Sequence, residues 1–283
     1  MRLRTIGTAV AGFVSLLGAA VSAAPAQAAE LKWTQLEPGI EYATTEAPGP
    51  RPLPPSQSID GHVHLVRVDP KLRSLEAVMT GAGDGRPRTA AQWCRERRLA
   101  VAINMGMFET DGRTNTGYAR SPGYVNNGHW ADKYKAALGF GALKSGVPPL
   151  VIADLDDPSA KARLAEYGTV VQNLRLIKAG RSVWEKQERR WSEAAVALDR
   201  QGRLLFIFSR YPYTMKELND ILLALPLEID AAMHMDGGPP ASLSIHAGGV
   251  NLDLNGSFET GALESDGVPA QTPIPNVLGV RRR

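Results

Sequence analysis

One short stretch near the C-terminal end of the chain constrains its fold more than any other. Residues 231–244 read AAMHMDGGPPASLS, and the apolar run Ile229–Met235 predicts a buried strand. Asp236 ends this run, two glycines that tolerate unusual backbone angles follow, and two prolines then prevent the sheet ladder from continuing. The strand therefore presents an acid over a glycine turn with bare backbone N–H groups, which is typical of anion and sugar sites. A surface turn with a solvated aspartate is the alternative.

A second strand end has the same character. The apolar run LAVAINMGMF reaches the polar residue Asn104, and Gly106 follows. Two buried strands that each end in a polar residue and a glycine predict one composite site. Glu109 and Asp111 come next, and together with Asp236 they would supply the paired carboxylates that glycoside cleavage requires. Solvated loop acids are the alternative for Glu109 and Asp111.

Five segments, taken in order, connect these strand ends to a known family. They are Asn104–Phe108 (NMGMF), Pro122–Gly128 (PGYVNNG), Val171–Gly180 (VQNLRLIKAG), Met235–Ser242 (MDGGPPAS) and Pro275–Val280 (PNVLGV). Together they resemble the phosphodiester glycosidase family, whose members carry an N-x-G-x-F and an L-D-G-G-x-S strand end. The resemblance covers Ile59 to Val280.

The resemblance implies an activity and a set of site residues. The implied reaction is hydrolysis of a sugar–phosphodiester bond, such as that of an N-acetylglucosamine-1-phosphodiester, in polysaccharide or envelope metabolism. The implied catalytic residues are Asp236, as base or charge stabiliser, with Asn104 and Glu109. The implied substrate contacts are the amides of Gly237 and Gly238, Arg189 or Arg190 for phosphate, and His234, Asn127, Glu193 and Ser242. The chain departs from the family pattern at Glu193, which stands where the resemblance places an arginine.

The N-terminal segment predicts export. Arg2 and Arg4 precede an apolar run from Ile6 to Val21, and Ala26-Gln27-Ala28 has the small-x-small pattern of a signal-peptide cleavage site. The formal net charge of +3 becomes +1 when the two arginines are removed, so we expect no nucleic-acid partner. We expect a periplasmic or secreted protein with a carbohydrate or sugar-phosphate substrate and no integral membrane segment after cleavage.

The rest of the chain favours strands joined by hairpins. Turn residues at 178–180, 200–202 and 248–249 separate pairs of strand-like runs, and Thr214-x-x-Glu217 is a capping box that begins a helix. We predict a single-domain α+β protein with a mixed, largely antiparallel sheet and a few flanking helices. The expected divisions are a signal peptide (1–28), an N-terminal strand and proline-rich linker (29–58), the glycosidase-like domain (59–280) and a basic tail (281–283).

Three alternatives remain open from the sequence. His62 and His64, two apart on a predicted strand after Asp60, have the spacing found in metal-dependent amidohydrolases, which are (β/α)₈ barrels. A non-catalytic glycan-binding module would use the same concave site without acid–base groups. We expect no cofactor and no metal site, although Glu109, Asp111 and Asp236 would form an oxygen-rich calcium or magnesium site if they converge.

His234 shares a face with Asp236 if the strand is regular, and a satisfied core histidine is the alternative.

Overall fold

The computed structural model describes residues 31–46 and 60–283, and the structural statements below refer to these residues. The predicted signal peptide and the proline-rich stretch 47–55 lie outside the described residues. None of the helices in the described part of the chain has the length and apolarity needed to cross a bilayer.

Eighteen strands and three α-helices make up the described part of the chain. The strands are β1 (Thr34–Glu37), β2 (Ile40–Glu46), β3 (His62–Val68), β4 (Leu75–Met79), β5 (Leu99–Asn104), β6 (Ala119–Ser121), β7 (Tyr124–Asn127), β8 (Ala136–Ala142), β9 (Leu150–Asp154), β10 (Tyr167–Asn173), β11 (Arg175–Lys178), β12 (Arg181–Ser182), β13 (Trp191–Asp199), β14 (Leu204–Tyr213), β15 (Ile229–Gly237), β16 (Ser242–Ala247), β17 (Val250–Asn255) and β18 (Asn276–Arg281). The helices are α1 (Ala90–Arg97), α2 (Ala160–Leu164) and α3 (Met215–Ala224), and a single 3₁₀ turn spans Thr80–Ala82.

The strands form three sheets. The largest has eight strands in the order β1-β2-β3-β14-β13-β15-β11-β12. The second has five strands in the order β7-β6-β10-β8-β9, and the third has five in the order β17-β16-β5-β18-β4. The predicted hairpins β11–β12, β13–β14 and β16–β17 are all present.

The three sheets share one central core. One face of each sheet contributes to it, through residues such as Phe206, Ile103 and Leu138, which are fully buried. The opposite face of each sheet is covered by one helix: α3 packs on the eight-stranded sheet, α1 on the sheet containing β5, and α2 on the sheet containing β10. Alternating strand residues therefore point to the central core or to a helix, which explains why central strands such as β5, β10 and β13 are buried on both faces.

Two helices begin where the sequence indicates. Thr214 accepts a hydrogen bond from the Glu217 N–H, and the Glu217 side chain accepts one from the Thr214 N–H, which completes the predicted capping box. Thr89 and Gln92 form the same arrangement at the start of α1. Each of these helices returns the chain to a strand that ends at the candidate site, α1 to β5 and α3 to β15.

The expected mixed α+β sheet needs correction. Every strand pair among the described residues is antiparallel, and the protein is largely β, with three separate sheets. The helices do connect strands that run in the same direction, such as β4 to β5 and β14 to β15. A third, antiparallel strand lies between the members of each such pair, β18 in the first case and β13 in the second.

Candidate functional site

Four ionisable side chains meet at the C-terminal end of β15. Glu193 comes from β13, His234 and Asp236 come from β15, and Glu259 comes from the segment after β17. Strands β13 and β15 are neighbours, with Glu193 opposite Gly237 and Ala195 opposite His234. We call these four residues the strand-end cluster.

Glu193 and His234 form the buried part of this cluster. Their side chains are 0% and 3% exposed, and His234 Nδ1 lies 3.0 Å from Glu193 Oε2. The imidazole of His234 and the indole of Trp191 both favour the charged form of the Glu193 carboxyl group. Burial raises the pKa of Glu193. Burial alone would lower the pKa of His234, but the carboxylates of Glu193 and Asp236 outweigh it and raise that pKa.

Asp236 occupies the partly exposed end of the cluster. Burial among protein groups raises its pKa to about 7, and Glu259 and Glu193 add to this rise by repulsion. His234 and the Gly237 N–H, which donates to Asp236 Oδ1 at 2.8 Å, act in the opposite direction. Asp236 can therefore exchange a proton near neutral pH, which is what a general acid or base needs.

Glu259 reaches the cluster through backbone contacts that the sequence does not reveal. The Ser192 N–H donates to Phe258 O, and an isolated β-bridge joins Trp191 to Glu259. The carboxylate of Glu259 then lies over Gly238, where an added Cβ would be 2.8 Å from Glu259 Oε2. The segment GSFETG is itself a strand-end acid between glycines, and this signal could have identified Glu259 as a candidate.

The two predicted strand ends do converge, and buried asparagines hold them together. Asn115 Nδ2 donates to Met105 O, and Asn173 Nδ2 donates to Met235 O, each at 2.8 Å. Gly106 lies between them with φ +84°, and an added Cβ would be 3.0 Å from Asn115 Nδ2. Met105, which follows Asn104, and Met235, which precedes Asp236, are thus held by neighbouring amide side chains.

A sequence profile of the phosphodiester glycosidase family matches residues 97–281, which is more than half of the chain. The chain belongs to this family. The match begins at the end of α1 and includes β5, the strand-end cluster and β18. No curated protein matches the chain by sequence.

Two solved structures share the fold of this phosphodiester glycosidase family member. A hypothetical protein from Synechocystis matches with a TM-score of 0.63 and 16% identity over 90% of this chain, which spans 64% of that protein. The catalytic domain of zebrafish N-acetylglucosamine-1-phosphodiester alpha-N-acetylglucosaminidase, auto-inhibited by its pro-peptide, matches with a TM-score of 0.62 and 16% identity. That match covers 90% of this chain and 88% of the zebrafish domain.

The glycine amides do not play the part expected of them. The Gly237 N–H donates to Asp236 Oδ1 and the Gly238 N–H donates to Ser192 O at 2.9 Å. Both donors therefore have protein partners, Gly237 through the neighbouring side chain and Gly238 through the pairing with β13. The role of the glycines is steric, since an added Cβ at Gly237 would be 2.1 Å from Trp191 Cδ1.

The two candidate phosphate-binding arginines have different surroundings. Arg190 donates to both carboxylate oxygens of Glu217 at 2.6 Å, which commits it to the start of α3. The Arg189 side chain is 67% exposed and lies 4.0 Å from Glu259 Oε1. Only Arg189 is therefore placed at the cluster with its guanidinium open to solvent.

Other predicted site residues have structural partners. Asn104 Oδ1 accepts a hydrogen bond from the Ser242 N–H at 3.0 Å, and both residues are buried. Asn127 Nδ2 donates to Asn115 O, and its Oδ1 accepts from the His129 N–H. These contacts fix the start of β16 and the end of β7.

Glu109 lies outside these contacts. It is exposed, and its N–H donates to Thr114 O. The charges that most affect the pKa of Asp236 come from His234, Glu259 and Glu193. Glu259 therefore takes the place that the sequence assigned to Glu109 as the second carboxylate near Asp236.

His234 reaches Asp236 by a different geometry from the one expected. A β-bulge at Met235 interrupts the pairing of β15 with β13, so the strand is not regular at this point. His234 is instead positioned by Glu193 and by the ring of Trp191, whose centroid is 6.2 Å from that of the imidazole.

The histidine pair on β3 belongs to a different arrangement. Asp60 contacts both rings, His62 Nδ1 at 2.7 Å and His64 Nε2 at 2.8 Å, and Tyr42 Oη lies 2.8 Å from His64 Nδ1. Three antiparallel sheets replace the (β/α)₈ barrel that an amidohydrolase needs. Among the described residues, no three His, Cys, Asp or Glu side chains are grouped as metal ligands.

The strand-end cluster is distinct from a cleft on another part of the molecule. A cleft of about 530 Å³ lies between β4, α1 and the paired strands β8 and β10, and no member of the cluster lines it. The rim acids of this cleft are already paired with arginines, for example Glu76 with Arg97 and Arg281. We therefore place the candidate site at the cluster because of its chemistry.

Proposed function

We propose that this protein is a secreted glycosidase that hydrolyses a sugar–phosphodiester bond, with Asp236 as the general base. The observation that carries this proposal is the Asp236 carboxyl group, whose pKa is raised to about 7 at a strand end in a phosphodiester glycosidase family member. Glu259 supplies a second carboxylate beside it, as glycoside cleavage requires.

The chemistry fits these residues. Asp236 takes a proton from water, the water oxygen forms a bond to the anomeric carbon, and the bond from that carbon to the phosphate oxygen breaks. A phosphate monoester leaves readily as an anion, so little protonation of the leaving group is needed. The negative charge of Glu259 stabilises the positive charge that develops on the sugar, and the exposed guanidinium of Arg189 binds the phosphate.

The proposed substrate class is an N-acetylglucosamine-1-phosphodiester or a similar sugar phosphodiester outside the cytoplasm. The zebrafish structure carries that activity in its name, and the fold is shared. The signal-peptide pattern of residues 1–28 directs the chain to a compartment where envelope polysaccharides are found.

A direct assay tests the proposal. Residues 29–283 are incubated with a panel of sugar-1-phosphodiesters, including that of N-acetylglucosamine, and released sugar is measured. We expect turnover that survives Asp220→Asn, an exposed acid on α3 paired with Lys216, and is lost in Asp236→Asn. No release across the panel, together with retained affinity for glycans, would instead identify a non-catalytic glycan-binding module.

A further inference from the structure

The buried pair of Glu193 and His234 has an unusual composition for a packed interior. A fully buried carboxylate needs a partner that compensates its charge, and the imidazole of His234 is the group that meets it. Trp191 packs edge-on against the same imidazole, and its indole also favours the charged form of Glu193. The pair therefore lies in a buried environment where His234 is the ionisable group that compensates the charge of Glu193, and the indole of Trp191 adds to this compensation.

The positive charge of His234 acts on Asp236. Three ionisable groups lie near Asp236: His234 is two residues away on the same strand, Glu193 lies opposite Gly237 on β13, and the carboxylate of Glu259 lies over Gly238. Arg189 approaches this group from the side of Glu259. His234 thus contacts the buried carboxylate of Glu193 and lies two residues from Asp236 at the strand end.

We propose that Glu193 is a positioning residue that acts through His234: it holds the buried imidazole in its cationic form, and this charge controls the proton of Asp236. This inference extends the proposed function by naming what regulates the base. Glu193 itself does not touch the reacting atoms, because it is fully buried behind His234.

The direction in which the pKa of Asp236 changes distinguishes this proposal from a direct interaction between Glu193 and Asp236. The negative charge of Glu193 by itself repels the Asp236 carboxylate and raises the pKa of Asp236. If Glu193 acted only directly, its neutralisation would lower that pKa. If Glu193 acts through His234, its neutralisation lets the buried imidazole lose its proton, the attraction to Asp236 disappears, and the pKa of Asp236 rises.

The test titrates Asp236 without using substrate. The carboxyl ¹³C signal of Asp236 is followed by NMR from pH 4 to 9, and it is assigned as the signal that Asp236→Asn removes. We expect Glu193→Gln and His234→Gln each to raise the midpoint by about one pH unit. The double variant should shift it no further than either single change, because both act through one charge.

A control variant tests whether the shift in the Asp236 midpoint is specific to the cluster. Glu41→Gln neutralises a strand glutamate that is paired with Arg67 outside the cluster, and it should leave the midpoint unchanged. An unchanged or lowered midpoint in Glu193→Gln would overturn the proposal. If that variant does not fold, an unchanged midpoint in His234→Gln overturns it equally. A shifted midpoint in a protein without turnover would refute the glycosidase function and leave this inference standing.

Discussion

At the residue scale, some members of the candidate site are visible in the sequence, and others are brought together only by the fold. The sequence indicates Asp236 as a candidate because it ends an apolar run and precedes two glycines. Glu259 is not indicated in this way, because backbone contacts between distant segments, such as Ser192 to Phe258, bring it to the site. The sequence also does not reveal that the amides of Gly237 and Gly238 donate to Asp236 and Ser192.

Gly237 provides a prediction about packing at the site. Gly237→Ala would place a Cβ 2.1 Å from Trp191 Cδ1, so the indole must move or the strand must shift. We expect a loss of about 1–3 kcal/mol in the free energy of unfolding, measured by urea denaturation. Gly128→Ala is the control, since its nearest neighbour, Val125 Cγ1, is 3.8 Å away. Equal stability of the two variants would show that Trp191 does not pack against the turn as described.

At the scale of elements, local patterns predict helices and hairpins well. The capping box at Thr214 and the turn residues at 178–180, 200–202 and 248–249 are each visible in the sequence, and the corresponding elements form. The bulge in β15 at Met235 is not visible, because it depends on the register with β13. His234 and Asp236 would share a face only on a regular strand, and the bulge between them removes that regularity.

Arg189 and Arg190 lie just before β13, and their different partners predict different effects when each is replaced by alanine. Arg190→Ala removes a two-point ion pair with Glu217 and should cost about 1–2 kcal/mol of stability while leaving KM for the substrate unchanged. Arg189→Ala should raise KM by about tenfold and change stability by less than about 0.5 kcal/mol, because the side chain is 67% exposed. Melting temperature and steady-state kinetics measure both effects. A raised KM in Arg190→Ala, together with an unchanged KM in Arg189→Ala, would instead place phosphate binding at Arg190.

At the scale of the whole molecule, the sequence predicts the character of the fold but not its arrangement. Frequent hairpins predict a largely antiparallel protein, and this is confirmed. The grouping into three sheets around one core depends on pairings between strands far apart in the chain, such as β14 with β3 and β18 with β5. Nothing local specifies these pairings, because strands that are apolar on both faces are compatible with many neighbours.

The charge of Asp236 also affects the stability of the whole molecule. Its pKa in the folded state is raised to about 7 from an ordinary value of 3.8, so the fold favours the protonated acid. The stability associated with this proton is fully present below about pH 4 and is lost as pH rises through about 7. Asn, which is neutral at every pH, avoids this loss. The melting temperature of Asp236→Asn should therefore exceed that of the unmodified chain above pH 7 and approach it below pH 4.

The most direct test of the central claim measures turnover of Asp236→Asn at pH 8 on a preparation whose melting temperature is also recorded. Removal of the general base should lower kcat by roughly 10²–10⁴-fold. The melting temperature should be equal to or higher than that of the unmodified chain, which excludes unfolding as the cause. Full activity in a folded Asp236→Asn protein would contradict the account and remove Asp236 from catalysis.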